Sequence, residues 1–357
     1  MNKCKELVKF DKPAKNNEEL IRLWQQRNLI IDDTNKADHY LSFIGYYRLS
    51  PYTIPFQEPT LNPQLTTHKF KTGTTFDNIL ELYTFDRELR LLVIDAIERI
   101  EVAIRSKICN EFCLETKNAF WYMESEYYNN SNFHQDFLKK IDQKVLQEKN
   151  SLKEEEKKIE KRKEISLEEK CNLQQKLRKE NFLRHYITTY DEPALPPAWM
   201  MFEMLTFGEL RYLYNQLKPN KLRKKIATDL GLQSKVLTSW LQTLNDVRNI
   251  CAHHGRLWNR VLGHSLMLPK SDSISWLETP VELSNPDISY QKRIYPVLVA
   301  LQSILYKISK GSGWAQKLQD LINKYPLVSK AHMGMPEKWD EDEFWHPAIN
   351  RKNRILS

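Results

Sequence analysis

"TFDNILELYTFDRELRLLVIDAIERIEVAIRSKICNEFC" occupies residues 75–113, and its periodicity decides the fold class. Phe85, Leu89, Leu92, Val93, Ala96, Ile97, Ile100, Ile104 and Ile108 recur at steps of three and four. That spacing gathers apolar side chains on one face of a helix and would scatter them on a strand. Neither proline nor glycine interrupts the run, so one long helix is expected. Its other face carries Asp86, Arg87, Arg90, Asp95, Glu98, Arg99, Glu101 and Arg105, which read as solvated pairs of small value.

The same signals extend outward from this helix. Only 9 glycines occur in 357 residues, and long stretches lack turn residues, so the chain is expected to be all-α. Residues 1–70 form a small N-terminal helical region, in which Asn16 or Asn17 caps a helix bearing Leu20, Ile21, Leu23 and Trp24. The aromatic cluster Tyr46, Tyr47 and Arg48 reads as packing at a helix end, with base stacking as the alternative. Residues 71–330 make the main helical domain. Within it, residues 138–180 change character: 14 Lys and Arg alternate with 10 Asp and Glu, around a narrow seam of Val145, Leu152 and Ile159. Ser166 and Glu169 form a capping-box pattern there. An inserted, charged antiparallel hairpin is expected, solvated or tracking a phosphate backbone. "DEPALPPAW" (191–199) is a proline loop, followed by helices near 199–217 and 234–254 and a last apolar helix around 288–309. Residues 331–357 read as an irregular tail pinned by Trp339, Phe344 and Trp345.

Charge and cysteine usage narrow the function classes. The net charge is +8, which favours an acidic partner, nucleic acid before membrane. The five cysteines, Cys4, Cys109, Cys113, Cys171 and Cys251, include no CxxC pair and no Cys/His set at zinc spacing. Reduced thiols, no metal site and no cofactor are expected. The opening "MNKCKELVKFDKPAK" has no apolar signal core, and no uncharged apolar run is long enough to span a bilayer. The protein is therefore expected in the cytoplasm, without a membrane partner.

"DVRNICAHHGRLWNR" (246–260) carries the chemistry. Ser234 is placed to cap the helix that leads into it and Gly255 to stop it. Val236, Leu237, Trp240, Leu241, Leu244, Val247 and Cys251 make an apolar stripe, and Gln242, Asp246, Asn249 and His253 a polar one. His253 faces away from the core in the last turn, where the helix dipole attracts a cation, a suitable place for a general acid. Arg248 lies on the flank of the apolar stripe, about 140° from His253 on an ideal helix. A charge there needs a carbonyl, a carboxylate, a subunit contact or a distorted helix.

Cleavage of RNA by its own 2′-hydroxyl requires a base, an acid and cationic donors for the phosphorane. Histidine fills either proton role, and arginine offers a planar fork to phosphate. Asn249 can hold an imidazole or a phosphate oxygen by hydrogen bonds. The Arg248/His253 pattern supplies a single well-placed histidine, so two copies across a twofold axis would complete a site and a homodimer is expected. Eighteen arginines and nine histidines produce about half of one such pair by chance, so the spacing alone is equally a helix running out into a loop. His254 and His264 belong to no evident metal set. Lys221, Arg223, Lys224 and Lys225 of "KPNKLRKKI", with Arg256 and Arg260, are candidate RNA contacts.

At "NDVRNICAHHGRLWN" (245–259) the chain resembles the HEPN superfamily, whose members carry Arg-x4-His with a polar residue after the arginine. More narrowly it is similar to the abortive-infection family of the AbiD/AbiF type. The likeness runs through "NEELIRLWQQRNLIIDD" (17–33), "YLSFIGYYRLSPY" (40–52), "LYTFDRELRLLVIDAIERIEVAIRS" (82–106) and "LPPAWMMFEMLTFGELRYLY" (195–214), in that order. The resemblance implies an all-helical HEPN-like bundle, phage defence by abortive infection, and metal-independent endoribonuclease chemistry. It assigns catalytic roles to Arg248 and His253 with Asn249 in support. Some relatives pair with a small noncoding RNA, so a bound or inhibitory RNA is an expectation here. The charged hairpin exceeds the family pattern.

Two rival readings remain at this point. A non-catalytic RNA-binding protein would hold RNA through the hairpin and "KLRKK" without cutting it. A helical interaction protein would sense a phage component and need no RNA.

Overall fold

The structure, a computed structural model, describes residues 13–59, 68–270, 274–279, 281 and 289–349. Cys4, the rest of the opening segment and the end of the tail lie outside them. Among the described residues there are 14 α-helices, six short 3-10 turns and three isolated bridges, with no strand. The all-α expectation holds. No helix among them is long and apolar enough to cross a membrane.

The chain divides into two compact units, residues 1–88 with 321–328, and residues 89–320 with 329–357. In the first, α1 (Asn17–Gln26), α2 (Thr34–Phe43) and α3 (Tyr46–Thr53) accompany the first turns of α4 (Phe76–Thr116). The Asn16 side chain caps α1 reciprocally with Glu19. Trp24 is buried against Tyr46 and Phe76, at ring separations of 5.0 and 5.9 Å. Tyr46 thus packs, whereas Tyr47 is 91% exposed. The Tyr52 hydroxyl donates to Asp86 at 2.6 Å, and Lys324 and Tyr325 hold Glu88.

The second unit contains the remainder of α4. Ile97, Ile100, Ile104 and Ile108 are all but fully buried, as their spacing predicts. The opposite face departs from expectation: Asp86 in the first unit and Arg90 in the second are 0% and 5% exposed. Both belong to the buried frame, because α4 is covered on more than its apolar side. Two long helices follow: α5 (Ser131–Glu160), then α6 (Leu167–Arg178) running back along it, joined to α7 (Phe182–Thr189). Val145, Leu152 and Ile159 are buried along the seam, and Ser166 and Glu169 form the capping box. Arg184 of α7 pairs with Glu148 and Glu155 of α5 and with Glu180 in the turn after α6.

The helix expected near 199–217 is two, α8 (Ala198–Glu203) and α9 (Phe207–Gln216). Thr206 and Glu209 form a capping box that starts α9 and breaks the run. The basic segment becomes α10 (Asn220–Asp229), and α11 (Ser234–Ala252) follows. Next comes α12 (Ile294–Ile308), buried on every side from Ile294 to Leu305, as a helix apolar all round should be. The sequence reading has no counterpart for α13 (Trp314–Lys324). The tail ends in α14 (His346–Ile349), with Trp339, Phe344 and Trp345 buried.

Candidate functional site

The site is built on α11. Val236, Leu237, Trp240, Leu241, Leu244, Val247 and Cys251 are buried, so the apolar stripe faces the core and the polar stripe faces out. The helix closes at His253, whose N–H still bonds to the Asn249 carbonyl at 3.0 Å. His254 then adopts the left-handed conformation, φ 56°. Its N–H reaches the Cys251 carbonyl at 3.1 Å, and Gly255 N–H reaches the Ile250 carbonyl at 2.8 Å. These two bonds make a Schellman motif. The left-handed position is therefore His254, one residue before the glycine expected to stop the helix. Ser234 is the first helical residue rather than the cap, which is Gln233 without a side-chain bond.

The loop that follows is anchored within the second unit. Arg90 Nη1 donates to the Gly255 carbonyl at 3.3 Å. Leu257 and Trp258 are 0% and 1% exposed, Trp258 Nε1 donates to the Ser329 carbonyl, and Arg293 Nη1 to that of Asn259. "GRLWN" is thus a core plug that fixes where the helix end points.

Among the catalytic candidates, Asn249 and His253 are exposed and Arg248 is half-buried. Among the described residues Arg248 meets no carboxylate and caps no carbonyl, and α11 stays regular through it. Two of the four escapes from its awkward position are occupied by nothing, and the helix does not distort. The half-buried guanidinium keeps access to solvent.

The basic candidates divide. Lys221 lies 3.7 Å from Glu115, Lys225 pairs with Glu111 and Asp229, and the Arg223 guanidinium sits 5.2 Å above the Tyr214 ring. The two lysines are matched by carboxylates of α4 and α10. Lys224 and Arg260 are exposed, and Arg256 is half-buried beside the helix end. Among the described residues no group of three or more His, Cys, Asp or Glu side chains is placed to hold a metal ion.

One feature of the stripe escapes the sequence reading. His264 Nδ1 meets Asp246 Oδ2, and Gln242 Nε2 stands 3.2 Å from the same nitrogen. Gln242 Oε1 accepts from Arg211 of α9, whose guanidinium lies 4.0 Å from the Tyr212 ring centre. Asp246 and Gln242 belong to the predicted stripe. His264 comes from a loop eighteen residues downstream of Asp246 in sequence, and no periodicity links the two.

Comparison with curated proteins and with solved structures gives no match. The family described as Abi-like protein matches residues 39–259, more than half of the chain and inclusive of the whole Arg248–His253 segment. This chain belongs to the Abi-like protein family.

Proposed function

We propose that the protein is an endoribonuclease of the HEPN superfamily, of the AbiD/AbiF type, acting in abortive infection against phage. Membership of the Abi-like family supports the defence role. The single observation that carries the chemistry is that half-buried, unmatched Arg248 and exposed His253 stand five residues apart at the end of one helix. Arg248 neutralises the scissile phosphate, His253 protonates the leaving 5′-oxygen, and Asn249 orients the phosphate between them. The 2′-hydroxyl is the nucleophile, so the chain's own residues move the protons and the reaction is metal-independent. Arg248 is also free to meet a second copy of the chain, so a homodimer with paired motifs fits the same geometry. A small noncoding RNA is the proposed controlling partner.

The test is cleavage of total RNA by wild type, Arg248→Ala and His253→Ala, with product ends sequenced. Wild type should leave 2′,3′-cyclic phosphate and 5′-hydroxyl ends, and each variant should cut about 10²–10⁴-fold more slowly while keeping its helical spectrum. Folded variants that cut and poison cells as wild type does would overturn the assignment. The net charge of +8 serves a non-catalytic RNA binder equally well. Intact RNA after long incubation with wild type would establish that reading instead.

A further inference from the structure

The ribonuclease reading leaves the base unassigned, and a second histidine, from a downstream loop, stands against the polar stripe of α11. His264 is built into place. Leu262 and Leu266 are buried, and their N–H groups bond to the Lys292 and Gln291 carbonyls at 2.9 and 3.0 Å. Met267 N–H bonds to Ser239 Oγ, and Trp240 Nε1 to the Met267 carbonyl. The loop is thus clamped on both sides of the imidazole, to residues 291–292 at Leu262 and Leu266 and to α11 at Met267. The side chain of His264 stays 57% exposed while that of Asp246 is 25% exposed.

Hydrogen-bond chemistry sets the tautomer. Arg211 has only donors, so it takes the Gln242 oxygen and turns the amide nitrogen towards Asp246, 3.5 Å from Oδ1. Nδ1 of His264 stands closer to the Asp246 carboxylate than to the Gln242 amide nitrogen at 3.2 Å. The carboxylate only accepts, so this closer contact puts the proton of neutral His264 on Nδ1 and leaves the lone pair on Nε2. Among the described residues Asp246 is the charged side chain on this imidazole, and Arg211 reaches it only through Gln242. A carboxylate that orients a histidine and stabilises its imidazolium is the arrangement of a general base.

We propose that His264, oriented by Asp246, is the second proton-transfer residue of the site and removes the proton from the 2′-hydroxyl. This rests on the ribonuclease reading above. Asp246 and His253 are seven residues apart, about 10 Å along the helix and within about 20° of one line. With His264 joined to Asp246, the two imidazoles lie along the same stripe, one towards each end of a phosphodiester laid along it. In the step, His264 Nε2 takes the 2′-hydroxyl proton as O2′ bonds to phosphorus. The bond from phosphorus to the 5′-oxygen breaks, and protonated His253 donates to that oxygen. The products are a cyclic phosphate and a 5′-hydroxyl, and proton exchange with water resets both imidazoles.

The experiment compares two substrates, a cleavable oligoribonucleotide and its analogue with sulfur replacing the leaving 5′-oxygen. A thiolate departs without a proton, so the analogue forgives loss of the acid and not loss of the base. His264→Ala and His264→Gln should cut both substrates about 10²–10⁴-fold more slowly, whereas His253→Ala should regain most of its rate on the sulfur substrate. Asp246→Asn, which acts through His264, should slow both and displace the acid limb of the pH–rate profile. If folded His264 variants cut within threefold of wild type, or are rescued by sulfur, the inference falls and the ribonuclease reading stands. If wild type cuts no RNA, both fall.

Discussion

His254 shows how one residue can carry strain beside chemistry. A left-handed conformation costs an L-residue about 1–2 kcal/mol, less for histidine than for a β-branched side chain. His254→Val should therefore be less stable than His254→Gly by about 1–2 kcal/mol in urea unfolding; equal midpoints would mean that the cap is not left-handed. Arg248 poses the complementary case. It sits on an apolar flank with no carboxylate among the described residues, so its charge adds little to folding. Arg248→Met should keep or raise stability, by up to about 1 kcal/mol, while abolishing cleavage. A large loss of stability would make the arginine a structural residue.

At the scale of elements, α9 is held by its start. Glu209 accepts from Thr206 N–H at 2.8 Å and from Lys144 of α5 at 2.9 Å. Burial raises its pKa, but the Thr206 backbone and Lys144 outweigh that and hold it below the usual carboxylate value. A depressed folded pKa contributes stability above the unfolded value of about 4.3 and loses it as the pH falls through the folded one. Glu209→Gln should cost about 1 kcal/mol at pH 7 and almost nothing near pH 3, read from unfolding at both. A cost independent of pH would remove the charge from the account. In α5–α7, Arg184 is 8% exposed in its side chain and joins three glutamates. Arg184→Ala should cost about 2–3 kcal/mol and speed hydrogen exchange in α6 and α7 before α11.

For the whole molecule, the expected assembly and the expected partner are separable. Cleavage that depends on paired copies should fall faster than linearly on dilution below the dimer constant, and mixing Arg248→Ala with His253→Ala chains should restore part of it if each copy supplies a different residue. Recovery of no activity, with sedimentation showing a monomer, would place the full site in one chain. RNA binding should weaken steeply with salt, since a net charge of +8 acts through phosphates. Lys224→Ala should lower that salt slope more than Lys221→Ala, because Lys221 faces Glu115.

The sequence by itself determined the all-α class, one long helix read at 75–113 and found at Phe76–Thr116, a helix cap at Asn16 or Asn17, and the capping box at Ser166. Each is a matter of spacing within a few residues, which periodicity and capping chemistry make readable. The break at Thr206 is a capping box of the same local kind as that at Ser166. The burial of Asp86 and Arg90 and the left-handed His254 were decided by the tertiary structure, since each depends on what packs against the residue. The same holds for His264. Its place beside Asp246 follows from a loop clamped at Leu262, Leu266 and Met267, contacts between segments far apart in the chain that no local pattern encodes.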